Sequence, residues 1–130
     1  MRRPVITLAL AWLLSAALAQ TNVVMFLDPR EPMELYNQYA DSYKEANPDV
    51  TITVESGGAT SDQQQQYLNT VLSGQSGDID IFQIDVIRPA TYAAAGWAEP
   101  LDSYLGDDMD AYLGDFLDGP VNADTVNGTL

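Results

Sequence analysis

Asp78, Asp80 and Asp85 fall close together in this 130-residue chain, and carboxylates in such a cluster can do two kinds of chemistry. Two of them facing each other across a cleft, roughly 5–9.5 Å apart, form the acid and nucleophile (or base) of a glycoside hydrolase. One ionised aspartate alone can accept from two neighbouring hydroxyls of a neutral polyol, each charged hydrogen bond contributing about 1.5–3 kcal/mol. In an extended strand residues 78 and 80 share a face and residue 85 lies on the other, so the spacing predicts no convergent pair. Asp107, Asp108 and Asp110 suggest calcium, but a calcium loop begun at Asp108 puts Tyr112 and Leu113 where a ligand and glycine belong, so these acids read as a solvated helix face. The chain holds no histidine and no cysteine. That removes Ser-His-Asp and Cys-His catalysis and the usual zinc ligands, and no cofactor or metal is expected.

The elements that must hold Asp85 follow from the periodicity. Thr21 to Leu27 is a short apolar run with β-branched residues, a buried strand. After the Asp28–Pro32 loop, Leu35, Tyr36, Tyr39, Ala40, Tyr43 and Ala46 mark an amphipathic helix, with Pro32 at its start and Asn47-Pro48 at its end. The tyrosine row reads as its packed face. Val50 to Val54 alternates as a second strand, and Gly57-Gly58-Ala59 turns the chain. Ser61 and Gln64 form a candidate capping box for a helix carrying Tyr67, Leu68, Val71 and Leu72. Ile79 to Ile84 is a third strand, apolar enough to be buried on both faces. A short helix spans Thr91–Ala95 after Pro89, and a final helical pattern from Leu101 to Leu117 is interrupted by Gly106 and Gly114. The last residues, from Gly119, carry turn signals.

Strand, helix, strand, helix, strand, helix predicts an α/β domain on a mostly parallel sheet with flanking helices. Such sheets take ligands beyond the carboxyl ends of their strands, which selects three loops: 28–32, 56–62 and 85–89. Asp85 opens the third.

The N-terminus has its own logic. Arg2 and Arg3 precede an apolar run from Val5, and Ala17-Leu18-Ala19 suits a signal peptidase, so residues 1–19 read as a signal peptide cleaved between Ala19 and Gln20. A membrane anchor would need roughly 20 apolar residues. Residues 20–130 then keep three cations, Arg30, Lys44 and Arg88, against all 19 carboxylates, a net charge of −16. That surface repels phosphate backbones and anionic headgroups, which excludes nucleic-acid and membrane-surface partners. Without cysteine there is neither a disulfide framework nor a lipid-anchor site, and a freely diffusing periplasmic monomer is expected.

The leader, the segment Gly58-Ala59-Thr60-Ser61-Asp62-Gln63-Gln64, the block from Asp80 to Pro89 and the stretch from Ala94 to Asp102 together resemble the extracellular solute-binding proteins of family 1. The trehalose/maltose-binding branch is the nearest in character. The resemblance runs over residues 20–130, and its most specific part is 80–102. It implies a type II periplasmic-binding-protein-like architecture: two α/β lobes that close on a sugar and deliver it to the membrane permease subunits of an ABC-type importer. Residues 20–130 correspond to part of the first lobe only, and Asn127 to Leu130 would open a further strand.

The resemblance also implies a sugar contact at Asp85, with polar contacts at Thr60 and Gln64, or one residue along at Ser61 or Gln65. Helix capping by Asp85 and by Ser61 is the structural alternative. Arg30 and Glu31 lie in the first loop, where solvated loop residues are the plainer reading, and Arg88 is expected to pair with an acid. Trp97 reads as a packing residue. Asn127-Gly128-Thr129 matches a glycosylation acceptor, a pattern that arises often by chance. Two other functions stay open on the residues alone: a secreted carboxylate-pair glycoside hydrolase, and an inactive remnant with an unfinished core.

Overall fold

The computed structural model describes residues 20–130, so the signal-peptide reading of residues 1–19 lies outside the described residues. Strand β1 (Thr21–Leu27) is the middle of a three-stranded parallel sheet ordered β2-β1-β3. Its apolar residues explain the central place: Phe26 and Leu27 are each 3% exposed. β2 (Val50–Ser56) pairs along its whole length, from Thr21 opposite Val50 to Leu27 opposite Ser56. Helix α1 (Met33–Ala46) crosses between them and packs on β2. α2 (Ser61–Ser73) leads on to β3, and α3 (Pro89–Ala94) follows it with proline in its first turn.

β3 is only Ile81–Phe82, far shorter than the expected run over Ile79–Ile84. Backbone bonds from Asp80 N–H to Val24 O (3.0 Å) and from Gln83 N–H to Phe26 O (2.9 Å) flank it, and side chains add to the ladder at both ends. Val24 N–H donates to Asp80 Oδ2 (2.8 Å), and Asp28 N–H donates to Gln83 Oε1 (3.2 Å). The expected burial on both faces also fails, because β3 is the sheet edge and Ile81 is 45% exposed.

Two further expectations shift. The tyrosine row of α1 is not the packed face: Ala40 is buried, while Tyr39 is 60% exposed and Tyr43 49%. The small Ala40 side chain is the one α1 buries, and of the tyrosine row Tyr36 is half-buried. The α2 cap falls one residue earlier than the Ser61 reading. Thr60 is in extended conformation and its Oγ1 accepts from Gln63 N–H (3.3 Å), while Gln63 Oε1 accepts from Ala59 N–H (2.7 Å). This is a capping box with its return bond shifted by one residue, and it frees Ser61 for other work.

The turn before it depends on two glycines. A Cβ on Gly57 would come within 2.9 Å of the Phe26 ring, and Gly58 has φ +84° with Gln64 N 2.9 Å from where a Cβ would stand. Phe26 in turn stacks on Tyr67 of α2, ring centroids 4.9 Å apart. Leu68 and Tyr92 are fully buried, and each such side chain is worth roughly 1.5–3 kcal/mol of burial. Trp97 meets the Tyr92 ring edge-on at 5.3 Å, the packing role expected of it.

The final helical pattern breaks at its glycines into α4 (Asp102–Leu105), a 3₁₀ turn (Gly106–Asp108) and α5 (Met109–Leu113). The tail forms a helix the turn signals concealed, α6 (Asp118–Asp124). Asn127 and Gly128, both at positive φ, make a tight turn across which Val126 and Thr129 exchange backbone hydrogen bonds of 2.7 and 3.1 Å. Asn127 and Gly128 form the turn, and Thr129 is paired with Val126 in an antiparallel bridge.

Candidate functional site

With β1 in the centre and its crossovers running to opposite sides, the sheet has its topological switch point between β1 and β3. The carboxyl ends of both strands and the start of α2 meet there, tied by a chain of polar contacts.

Asp28, the first residue after β1, is the buried carboxylate of that chain, 8% exposed. Its Oδ1 accepts from Arg30 N–H (2.9 Å) and Arg30 Nε (2.8 Å), and its Oδ2 from Arg30 Nη2 (3.1 Å) and Ser61 Oγ (2.7 Å). The Arg30 side chain is the main reason the Asp28 carboxyl stays far below the usual carboxylate range; burial opposes it, and the Arg30 backbone N–H and the Ser61 hydroxyl assist. Arg30 is raised in return by the same contact. Gln83 bridges the loops: its Nε2 donates to Glu31 Oε1 (3.0 Å) and its backbone oxygen accepts from Gln64 Nε2 (3.0 Å). Tyr36 O–H donates to Glu31 Oε2 (3.2 Å), and burial first, then the Glu31 charge, pushes the Tyr36 phenol up.

Ser61, Gln64, Gln65, Asp85 and Arg88 converge on one hollow beside this network. Thr60 stays outside that lining, occupied with its helix cap. Gln64 is 4% exposed and half committed to Gln83, so it is more floor than rim. Asp85 is exposed; its Oδ1 accepts from Ile87 N–H (3.3 Å) and its backbone oxygen from Arg88 N–H (2.9 Å). These bonds fold the turn ahead of α3, whose N-cap is Arg88 and which Asp85 does not cap. Arg88 lies 3.9 Å from Asp62, the acid pairing expected of it.

Asp80 Oδ2 accepts from Val24 N–H, which ties this carboxylate to β1. Among the described residues no cluster of three or more histidine, cysteine, aspartate or glutamate groups could hold a metal, and no helix is long and apolar enough to cross a membrane.

The hollow encloses only about 50 Å³, against the roughly 300–1,000 Å³ of a typical small-molecule pocket. A hollow of that size has room for a group no larger than a hydroxyl or hydroxymethyl. A much larger trough, about 940 Å³, runs along the free edge of β3 between Phe82, Trp97, Leu113 and Phe116. It is mainly apolar and lies away from the polar network, so we place the site at the hollow.

Asp28 is the functional candidate that sequence reasoning missed. The available signal was an acid directly after an apolar strand, followed two residues on by one of the three cations of residues 20–130.

A parallel α/β lobe with polar groups gathered at the switch point is an arrangement that the periplasmic-binding-protein class shares with other open α/β sheets. Residues 28–129 match the bacterial extracellular solute-binding protein family, and the chain belongs to that family. Maltose-bound MalE3 of T. maritima is similar at 25% identity and a TM-score of 0.72, over 84% of this chain and 27% of its own. An ABC substrate-binding protein of Listeria monocytogenes in complex with cycloalternan gives 21% and 0.72 over 85% and 27%. An ABC transporter solute-binding protein of Agrobacterium vitis S4 with bound D-mannitol gives 22% and 0.70 over 85% and 26%. The last two show the fold alone. The chain thus spans about a quarter of the length of the structures it matches.

Proposed function

We propose that this chain forms part of the first lobe of the extracytoplasmic binding component of an ABC-type sugar importer. It captures a neutral disaccharide or similar polyol, such as trehalose or maltose, and presents it to permease subunits in the membrane. Export by a leader cleaved between Ala19 and Gln20, and a monomeric state, belong to the same reading. The protein acts by binding and carries out no reaction on its cargo.

The observation that carries this is the meeting of Ser61, Gln64 and Asp85 at one hollow on the switch point. Ser61 donates its proton to Asp28, so its oxygen is left to accept from the solute. Asp85 keeps its second carboxylate oxygen for the same purpose, since only Oδ1 serves the turn. Thr60 acts one step back by fixing the start of α2. Asp28, Glu31, Asp62 and Asp85 outnumber Arg30 and Arg88 around the cleft, which favours a neutral cargo over an anionic one. Binding of maltose and D-mannitol by proteins of the same fold supports the sugar reading.

Titration of the purified protein with maltose and trehalose, followed by Trp and Tyr fluorescence, tests it. Saturable binding is expected with the sugar recovered intact. Asp85→Ala should weaken affinity about 10- to 100-fold, the loss of a charged hydrogen bond, with little change in melting temperature. Undiminished affinity in that variant would overturn the assignment, and release of monosaccharide would point to the hydrolase instead.

A further inference from the structure

We propose that Asp28 sets both the geometry and the charge selectivity of the sugar cleft, holding Arg30 down and neutralised while fixing Ser61 as a hydrogen-bond acceptor. The inference rests on the sugar-binding reading above and goes beyond it, because Asp28 is a positioning residue that acts through two others.

Three observations carry it. Asp28 is the one buried acid among the described residues, and both its oxygens are used, three contacts to Arg30 and one to Ser61. A carboxylate buried without partners is costly, so this cluster is locked as a unit. Second, Arg30 is highly exposed apart from this contact, its side chain 73% accessible, and it lies within the field of Asp85 and Glu31. Released from Asp28, its guanidinium would present a forked donor to any carboxylate or phosphate entering the cleft. Third, Ser61 sits at the start of α2 on the hollow itself, and its 2.7 Å bond to Asp28 dictates where its hydrogen points.

Discrimination then has a physical source. With Asp28 ionised, Arg30 beside the cleft is already satisfied, and an acidic sugar meets surplus carboxylates offset only by Arg88, which faces Asp62 at 3.9 Å. A neutral polyol meets oriented acceptors. This is selectivity by an unrewarded charge, the repulsive half of specificity.

The test uses the full chain and its Asp28→Asn variant, which keeps one acceptor oxygen, turns the other position into an amide donor and removes the charge. One readout needs no sugar: the rate at which phenylglyoxal modifies Arg30, mapped by mass spectrometry with Arg88 as internal reference. Arg30 should react roughly tenfold faster in the variant while Arg88 does not change. The second is the ratio of affinities for maltose and glucuronic acid, expected to move by about tenfold or more toward the acid. An unchanged Arg30 rate, or equal weakening of both solutes, overturns the proposal. If the wild-type chain binds neither solute while Arg30 still reacts faster in the variant, the sugar reading fails and the hold of Asp28 on Arg30 stands. Should Asp28→Asn not fold, Arg30→Gln tests the idea from the other side. Leaving Asp28 unpaired should shift the ratio about tenfold toward maltose, and a constant ratio refutes the claim.

Discussion

Asp28 concentrates more of the local energetics than any other side chain of the cleft, because it is buried, charged and fully paired at once. Its folded carboxyl titrates below the unfolded value of 3.8, with the Arg30 contact as the leading cause. A lowered folded pKa means the charge stabilises the fold wherever the unfolded group is already ionised. That contribution is complete above the unfolded value and is lost as pH falls below it. Melting temperature should therefore drop between about pH 4 and pH 2, and the Asp28→Asn variant should show a shallower drop over the same interval. Equal slopes for the two proteins would show that other carboxylates dominate acid unfolding. Asp85 differs at the same scale: it is exposed and its carboxylate is bonded only within its own turn.

β3 shows how an element can be shortened without being weakened. Asp80 and Gln83 flank its two residues and supply side-chain acceptors to Val24 of β1 and to Asp28 just beyond it. Removing one of those acceptors should be felt at the sheet. Asp80→Ala is expected to cost about 1 kcal/mol, read from the urea midpoint, whereas Asp80→Asn retains an oxygen and should lie near wild type. The Val24 donor is near solvent, and water replaces the lost partner in part, which keeps the figure modest. A silent Asp80→Ala would mean that the bond contributes nothing to the sheet. The near-continuous apolar run signalled this segment correctly as a strand. It overstated the length, since apolar character reports what a segment can bury and not how many of its residues pair with a neighbouring strand.

For the whole molecule the dominant quantity is charge. Residues 20–130 carry 19 carboxylates against three cations, and at this scale repulsion outweighs the few pairs formed. Raising the salt concentration from about 10 mM to about 150 mM shortens the screening length from roughly 30 Å to 8 Å. The melting temperature should rise over that range; a fall would show that the Arg30–Asp28 pair outweighs the general repulsion. The open apolar trough along β3 is the other whole-molecule feature. It agrees with a chain that spans about a quarter of the length of the similar structures.

The order of strands and helices, the parallel sheet and the position of Asp85 in the loop after the third strand were legible in the sequence. Each depends on local periodicity, on proline and glycine positions, or on a topological rule that holds for every sheet of this type. The Asp28 cluster was not legible, because Asp28 and Ser61 stand 33 residues apart and only the crossover brings them to 2.7 Å. The α2 cap was misread by one residue for a related reason: Thr60 and Ser61 both suit an N-cap, and Asp28 claims the Ser61 hydroxyl. Burial was the remaining surprise. Helical spacing marked the tyrosines of α1 as a face, but the approach of β2 selected Ala40. Sequence fixes what a residue can do chemically; which partner it meets depends on distances that only the folded chain sets.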